Sequence, residues 1–302
     1  MALGPQSPAM ETMPLLVAGP TGAGKSAYAL ARAEAEGGAI LNADASQVYD
    51  GWRVLTARPS PEEEARAPHR LFGHVDPARR YSVGDWLRDL APALEECRAA
   101  GRRPIVVGGT GLYFTAATEG LARIPQPSPE LRAALSARLE AEGLHSLSAE
   151  LAARDGETAA ATDLRNPVRV LRALEVLEAT GRGLADWRRE TPPPLIGAAE
   201  RVLLAPDRAA LYARLDTRFD AMLREGALEE ARAMAARGLD PMLPAMKAVG
   251  APELFAHLRG EIPLAEATEA AKQATRNYAK RQFTWFRNRM RDWVQIQPDL
   301  GP

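Results

Sequence analysis

Near its start the chain reads Leu15-Leu16-Val17-Ala18-Gly19-Pro20-Thr21-Gly22-Ala23-Gly24-Lys25-Ser26. The apolar run predicts a buried strand, and the alanine-rich stretch that follows Lys25 predicts a helix. Between them, residues 19–26 have the spacing G-x-x-x-x-G-K-[ST] of a phosphate-binding loop. Glycines let such a backbone curl around a diphosphate, which then faces the loop amides and the N-terminus of the helix. The loop therefore predicts a polyphosphate ligand, and it leaves the reaction open.

Two side chains of this loop add chemistry of their own. Lys25 brings a positive charge to the phosphates, and the hydroxyl of Ser26 is an oxygen ligand of the kind that Mg²⁺ takes. We therefore expect Mg²⁺ as the cofactor, with Ser26 as a metal ligand. The competing interpretation is a chance glycine-rich turn, which the flanking strand and helix disfavour. The residues expected to bind the diphosphate are Gly19, Pro20, Thr21, Gly22, Ala23, Gly24, Lys25 and Ser26.

The composition is that of an ordinary globular protein. The chain has 302 residues, of which 46% are hydrophobic and 25% charged, and its formal net charge is -1. Any nucleic acid would therefore have to bind a local basic patch. No apolar run reaches the roughly 20 residues of a membrane span. Met1–Thr12 lack the pattern of a secretory signal, so we expect them to be a lead-in segment. The single cysteine, Cys97, cannot form an internal disulfide, which favours a reducing, cytoplasmic location.

Short apolar strands alternate with helical segments over most of the chain. This alternation predicts an α/β fold with a P-loop-type parallel sheet flanked by helices. A proline cluster and a long helical pattern interrupt it, so we expect an all-helical insertion domain over residues 122–195. The catalytic core would then consist of residues 13–121 and 196–302. Beyond the first strand, the expected strands are residues 39–41, 71–75, 104–107, 201–205 and 293–296.

Ligand-binding groups of such a sheet lie at the C-terminal ends of its strands. Besides the phosphate loop, this rule selects residues 42–49 and 108–113. Asp44 in the first segment is a candidate Mg²⁺ ligand or proton acceptor, although an aspartate in a turn often only caps it. Thr110 in the second segment can donate or accept a hydrogen bond, and the glycines around it allow a ligand to come close. Its competing interpretation is a tight turn between strand and helix.

Basic side chains suggest two further kinds of contact. Arg218 is a candidate clamp for a leaving diphosphate, against the commoner alternative of a solvated helix face. No acidic residue interrupts residues 272–291, where aromatic side chains alternate with Lys and Arg. Such a surface is typical of RNA binding, unless the helix is merely exposed with its aromatic side chains in the core. Arg169 and Arg172 form part of a second basic run with the same two interpretations.

Taken in order, these segments resemble the tRNA dimethylallyltransferase family, also called the tRNA isopentenyltransferases. The similarity runs from about Leu15 to Arg291. Besides the phosphate loop, its motifs are similar to residues 42–49 (NADASQVY), 67–71 (APHRL), 107–113 (VGGTGLY), 169–175 (RVLRALE) and 275–287 (TRNYAKRQFTWFR). The chain departs from the family pattern at Ala45, where the family has Ser, at residues 55–59, and at residues 249–253. We interpret these departures as variation within an active enzyme.

The resemblance implies transfer of a dimethylallyl group from dimethylallyl diphosphate to N6 of adenosine 37. This adenosine lies in the anticodon loop of tRNAs that read codons starting with U, and diphosphate is released. Lys25 and Arg218 would stabilise the diphosphate, Asp44 would accept the N6 proton, and Thr110 would help to hold the adenine. The implied contacts to the tRNA anticodon stem-loop are Asp44, Ala45, Ser46, Gln47, Thr110, Arg169, Arg172, Lys247, Arg276, Lys280 and Arg281.

Other functions remain open at this level. A small-molecule kinase shares the phosphate loop and the sheet, and would use ATP as donor. An isopentenyltransferase acting on free adenine nucleotides would not need the helical insertion or the basic helix near the end. A non-catalytic RNA-binding protein would keep the basic surface alone. We expect the prenyltransferase to work as a monomer in the cytoplasm, with no membrane partner.

Overall fold

A computed structural model of the chain describes residues 13–298. The lead-in expected over Met1–Thr12 and the last four residues of the expected core lie outside the described residues. Within them, no helix combines the length and the apolar character that crossing a bilayer requires.

A six-stranded sheet lies at the centre of the fold. Its strands are β1 (Leu15–Ala18), β2 (Gly38–Asn42), β3 (His69–Arg70), β4 (Arg103–Gly108), β5 (Glu200–Leu204) and β6 (Val294–Ile296). In space they follow the order β3-β2-β4-β1-β5-β6, and every neighbouring pair is parallel. The predicted parallel sheet with flanking helices is thus confirmed.

Helices follow the strands as the alternation predicts. They are α1 (Lys25–Glu36), α2 (Pro61–Arg66), α3 (Val83–Ala99), α4 (Gly111–Glu119), α5 (Pro129–Arg154), α6 (Gly156–Ala160), α7 (Pro167–Thr180), α8 (Leu184–Arg189), α9 (Arg208–Arg224), α10 (Ala227–Ala236), α11 (Ala251–Leu258) and α12 (Leu264–Arg289). A short 3-10 turn spans Pro244–Lys247. Local signals set their ends: α3 starts with a reciprocal capping box between Ser82 and Asp85, and α1 ends at Gly37, whose φ is 65°.

Both faces of the sheet are covered because its central strands are apolar on both sides. All four residues of β1 are buried. Leu16 lies in a core cluster with Trp86 of α3 and Phe286 of α12. Leu15 lies in a second cluster, with Leu30 of α1. The alternation of side chains along β1 therefore assigns α1 to one cluster and α3 with α12 to the other, and this arrangement positions the loop between β1 and α1.

The third strand differs from its predicted position. The sequence predicts residues 71–75, whereas β3 is His69–Arg70, which pairs with Ile40 and Leu41 of β2. The chain does not stay extended beyond β3 because Leu71 has a φ of 66°, in the left-handed region. Residue 75 forms only an isolated bridge, to residue 49.

Glu119–Pro194 form a compact unit of their own, which contains helices α5 to α8. Its core includes Leu135, Leu147 and Leu174. The helical geometry of α5 breaks at Gly143, where φ is 80° and ψ is 163°. The rest of the described chain contains the sheet and forms the second unit.

Candidate active site

Three loops lie together at the C-terminal edge of the sheet. They follow β1, β2 and β4, which are adjacent strands. The amide of Thr110 donates to the carbonyl oxygen of Ala43 over 3.2 Å, and the amide of Ala45 donates to the Thr110 hydroxyl oxygen over 2.9 Å. A Cβ on Gly108 would lie 2.0 Å from the same Ala43 oxygen, so only glycine permits this approach. The structure thus brings Asp44 and Thr110 to the edge at which the phosphate loop follows β1.

The phosphate loop has the backbone of an anion cradle. Gly22 and Gly24 have φ values of 78° and 81°, a region that side chains disfavour. The amides of Gly22, Gly24, Lys25 and Ser26 have no backbone hydrogen-bond partner among residues 13–298. Unpaired amides at a helix N-terminus attract anions. The amide of Thr21 is different, because it donates to a side-chain oxygen of α12 over 2.8 Å.

Two cations and one carboxylate share the surroundings of this loop. The Lys25 ammonium donates to the carbonyl oxygen of Pro20 over 2.8 Å. Burial lowers the pKa of Lys25 to about 8; Asp44 acts in the opposite direction, and Arg218 lowers the value further. Burial also lowers the pKa of the Arg218 guanidinium, with Arg214 as the second cause. Burial therefore destabilises the charged forms of Lys25 and Arg218, and a bound polyanion would offset this cost.

Asp44 is held by its neighbours so that one carboxylate oxygen stays unpaired. Its Oδ1 accepts hydrogen bonds from the Ser46 amide over 3.0 Å and from the Ser46 hydroxyl over 2.6 Å. The fully buried Asn42 accepts from the Asp44 amide over 2.8 Å and donates to the carbonyl oxygens of Asp44 and Leu71, each over 3.0 Å. Asp44 Oδ2 makes no hydrogen bond to residues 13–298. An oriented acceptor without a partner is what a proton-accepting group needs.

Thr110 connects this carboxylate segment to α12. Its hydroxyl oxygen accepts from the Ala45 amide, and its side chain lies close to the phenol of Tyr278. Burial raises the pKa of Tyr278 and Asp44 raises it further, whereas Arg281 and Thr110 oppose both. Tyr278 is therefore a neutral phenol beside the candidate proton acceptor.

Gln47 and Ser46, both expected tRNA contacts, have partners inside the fold. The amide nitrogen of Gln47 donates to the carbonyl oxygens of Thr56 and Ala57, each over 2.8 Å. These bonds hold the turn at Ala57, whose φ is 51°. The side-chain nitrogen of Gln47 and the hydroxyl of Ser46 are thus engaged within the fold, whereas Ala45 is exposed.

Helix α12 has fewer unpaired charges than its sequence predicts. Arg276 forms an ion pair with Asp216 of α9. Lys272 pairs in the same way with Asp220, over 2.8 Å. Lys280 is exposed. The basic face is therefore partly neutralised by carboxylates of α9.

The aromatic side chains of α12 do not form an outward stacking surface. Phe286 is buried in the core, and Trp285 packs so tightly against Gly111 that a Cβ there would lie 2.1 Å from the indole nitrogen. Of the two interpretations open at the sequence level, the structure supports core aromatics at these positions. Arg281 is exposed, and its guanidinium lies 5.6 Å from the ring centre of Tyr278.

The remaining predicted tRNA contacts lie on other elements. Lys247 is exposed at the end of the 3-10 turn, where its nitrogen lies 3.5 Å from the sulfur of Met242. In the helical unit, Arg169 is exposed near the start of α7. Arg172, on the same helix, pairs with Glu175 over 3.3 Å.

Two buried polar residues shape the site without having been predicted from the sequence. Asn42 directs the segment that carries Asp44. Gln282 donates to the carbonyl oxygen of Gly109 over 2.9 Å while it accepts from the amide of Thr21. The available signal for each was a polar residue among apolar ones, at the end of β2 and on the buried side of α12.

Comparison with known families agrees with this geometry. A family model described as IPP transferase matches residues 47–289. The chain belongs to the IPP transferase family. Membership in this family makes it a prenyltransferase, as the resemblance implied. The matched range contains Thr110, Arg218 and the whole of α12, whereas the phosphate loop and Asp44 precede it.

Two curated relatives of this IPP transferase share one name. The tRNA dimethylallyltransferase of Cereibacter sphaeroides is 58% identical over 286 residues, which are 94% of this chain and 88% of that protein. The tRNA dimethylallyltransferase of a Bradyrhizobium species is 54% identical over 287 residues, which are 94% of each chain. These names support the prenyltransferase interpretation over the phosphotransferase alternative.

Solved structures extend the same similarity to the fold. The tRNA isopentenylpyrophosphate transferase of Bacillus halodurans is 32% identical, with a TM-score of 0.68 over 94% of this chain and 89% of that one. A eukaryotic dimethylallyltransferase, captured in crystals acting on tRNA, is 26% identical. Its TM-score is 0.80 over 95% of this chain and 74% of that one. The α/β sheet with its flanking helices is thus an architecture that the family shares.

Proposed function

We propose that this IPP transferase moves a dimethylallyl group from dimethylallyl diphosphate to N6 of adenosine 37 in tRNA. The acceptor would lie in the anticodon loop of tRNAs that read codons starting with U. One observation carries the proposal: the unpaired Oδ2 of Asp44 lies in a site where Lys25 and Arg218 form no ion pair with a carboxylate of residues 13–298. A proton acceptor beside an anion cradle suits a reaction that releases both a proton and diphosphate.

The reaction would proceed by direct displacement at an allylic carbon. The N6 lone pair forms a bond to C1, the C1–O bond breaks, and its electrons leave with the diphosphate. Asp44 Oδ2 then takes the N6 proton, which balances the charge. Because an allylic carbon tolerates positive charge, the main task of the protein is to stabilise the departing diphosphate, which Lys25, Arg218 and the loop amides would do.

The adenine must leave its stack to reach these groups. Enzymes that modify a base commonly rotate it out of the helix or loop into a pocket. The glycines around Thr110 let the backbone of the turn come close to such a base, and the Thr110 hydroxyl would help to hold it. The exposed Ala45, whose amide donates to the Thr110 hydroxyl oxygen, leaves room for the acceptor.

Exposed basic groups support tRNA as the partner. In the unit that contains the sheet, Lys280, Arg281 and Lys247 are exposed; in the helical unit, Arg169 is exposed. Such groups bind phosphates of the anticodon stem-loop with an affinity that falls as salt rises. Arg276 would join them by exchanging Asp216 for a phosphate.

Magnesium fits the site as a companion of the diphosphate. The Ser26 hydroxyl is exposed and has no hydrogen-bond partner among residues 13–298. The described residues hold no cluster of three or more His, Cys, Asp or Glu that would bind a metal by themselves. Mg²⁺ usually takes few protein ligands and several oxygens from phosphate and water. Ser26 would hold it, and the ion would supply further positive charge to the leaving group.

We propose that the enzyme works as a monomer in the cytoplasm. All the groups proposed for chemistry come from one chain. The single thiol, Cys97, is buried, and burial raises its pKa, so it has the character of a structural thiol in a reducing compartment. Sedimentation of the purified chain would test the monomer directly.

Mass spectrometry of tRNA nucleosides tests the proposed reaction. The purified chain is incubated with Mg²⁺, labelled dimethylallyl diphosphate and unmodified tRNA, and in parallel with AMP or with labelled ATP. We expect the label on adenosine 37 only, and its loss in Asp44→Asn. Transfer to AMP, or transfer of phosphate from ATP, would replace the proposal by one of its alternatives.

A further inference from the structure

One buried amide connects two loops that the proposed reaction needs. The Gln282 side chain of α12 accepts from the Thr21 amide of the phosphate loop over 2.8 Å. It donates to the carbonyl oxygen of Gly109, in the turn after β4, over 2.9 Å. Gln282 is only 5% exposed. Its side chain therefore joins the two loops directly, out of contact with bulk water.

The geometry around Gly109 brings this amide near the proton acceptor. A Cβ at Gly109 would lie 2.4 Å from Gln282 Nε2 and 3.2 Å from Asp44 Oδ2. The two side chains therefore border the same small space, which a glycine leaves open. Tyr278, one turn earlier on α12, lies close to Thr110. Helix α12 thus contacts the phosphate loop and the turn after β4, and it borders the space next to Asp44.

We propose that Gln282 is a positioning residue for prenyl transfer. By bonding Thr21 and Gly109 at once, it sets the separation between the loop that holds the donor diphosphate and the turn that holds the acceptor base. The inference rests on the proposed function. Direct displacement requires the reacting atoms to be roughly 3–3.5 Å apart, and a misplacement of about 1 Å can lower the rate about 100-fold.

A purely structural role is the alternative. Removing a buried amide leaves the Thr21 amide and the Gly109 carbonyl without partners, which destabilises any fold. Stability alone therefore cannot decide between the two roles. Gln282→Met removes both hydrogen bonds at nearly constant length, and Gln295→Met makes the same change at an exposed position of β6 as a control.

Gln282→Glu offers a test that responds to pH. A protonated carboxylic acid reproduces both bonds, because its carbonyl oxygen accepts from Thr21 and its hydroxyl donates to Gly109. An ionised carboxylate can only accept, so it loses the bond to Gly109 and adds a negative charge close to Asp44. Burial and Asp44 favour the protonated form, whereas the cations Lys25 and Arg218 near the phosphate loop favour the carboxylate, so the acid titrates between these influences. The single-turnover rate of Gln282→Glu, divided by that of the parent, should therefore rise as the pH falls.

The experiment measures single-turnover rates with saturating donor and tRNA. Separate steady-state assays, in which the concentration of donor or of tRNA is varied, give the two KM values. All assays are run at temperatures where every variant is folded. We expect Gln282→Met to lower the rate about 10- to 100-fold with KM values within about threefold of the parent, and Gln295→Met to match the parent. The Gln282→Glu ratio should rise at least about fivefold between roughly pH 8 and pH 6. Should Gln282→Met not fold, the Gln282→Glu ratio still decides.

Two results would overturn the inference. One is a Gln282→Met single-turnover rate within about twofold of that of the parent, whether or not a KM value rises. The other is a Gln282→Glu ratio that does not change with pH. Failure of the proposed function is distinct, because the parent itself would then transfer no dimethylallyl group to tRNA.

Discussion

Lys25 should make the protein less stable than a neutral side chain would. Its pKa in the fold is about 8, below the ordinary 10.5, and burial is the main cause. The unfolded chain therefore binds more protons than the folded one between pH 8 and 10.5, so stability rises with pH across that window. Lys25→Met removes the charge and keeps the length of the side chain, and should remove the cost.

The size of the effect follows from the pKa difference. A folded pKa of about 8 corresponds to a cost of about 3 kcal/mol at pH 7 and about 2 kcal/mol at pH 9. The methionine also loses the hydrogen bond to Pro20, worth about 1 kcal/mol. We expect Lys25→Met to be more stable than the parent by about 2 kcal/mol at pH 7, and by about 1 kcal/mol less at pH 9.

Urea unfolding followed by tryptophan fluorescence measures both values. Trp187 is the one tryptophan within Glu119–Pro194. A Trp187→Phe background therefore restricts the signal to the unit that contains Lys25. Lys280→Met, at an exposed lysine of α12, is the matched control. Equal stabilities of parent and Lys25→Met near pH 7, or a difference that stays constant up to about pH 9, would refute the argument.

Four further results are expected. Asp44→Asn should lower turnover about 100-fold or more in a quenched-flow assay while the donor still binds; full activity would remove its role as base. Binding of dimethylallyl diphosphate at about pH 8.5 should take up roughly 0.8 proton by calorimetry in two buffers, because the anion raises the pKa of Lys25. Gly111→Ala should destabilise the fold by about 1–3 kcal/mol in urea, since its Cβ would meet Trp285; an unchanged midpoint would contradict this. Arg276→Gln should reduce the slope of log affinity for tRNA against log salt by about 1. An unchanged slope would mean that Arg276 stays paired with Asp216 and contacts no tRNA phosphate.

The meeting of the three loops could be predicted because it depends on topology. Parallel strands end at a common edge, so residues that follow buried strands become neighbours whatever the distance between them in sequence. The prediction that Asp44 and Thr110 lie at this edge required only this rule. The same rule does not say which oxygen of Asp44 is unpaired, since that depends on Asn42 and Ser46.

Two other features depended on contacts that no local pattern reveals. The ion pair between Arg276 and Asp216 joins α12 to α9 across 60 positions of the sequence. The hydrophobic periodicity of each helix shows its buried side, but it does not show which other helix packs against that side. The short third strand depends on the left-handed backbone at Leu71, whose carbonyl Asn42 binds. A side-chain donor buried beneath a turn can hold a conformation that leucine alone disfavours.

The Gln282 bridge also has a consequence for the order of synthesis. Thr21 leaves the ribosome early, yet its hydrogen-bond partner follows 261 positions later. At rates of about 5–20 residues per second, the delay is about 13–50 s. Throughout this interval the Thr21 amide lacks its link to the turn after β4. The proposed alignment of the donor loop with the acceptor turn is therefore complete only once α12, the last long helix, has been made.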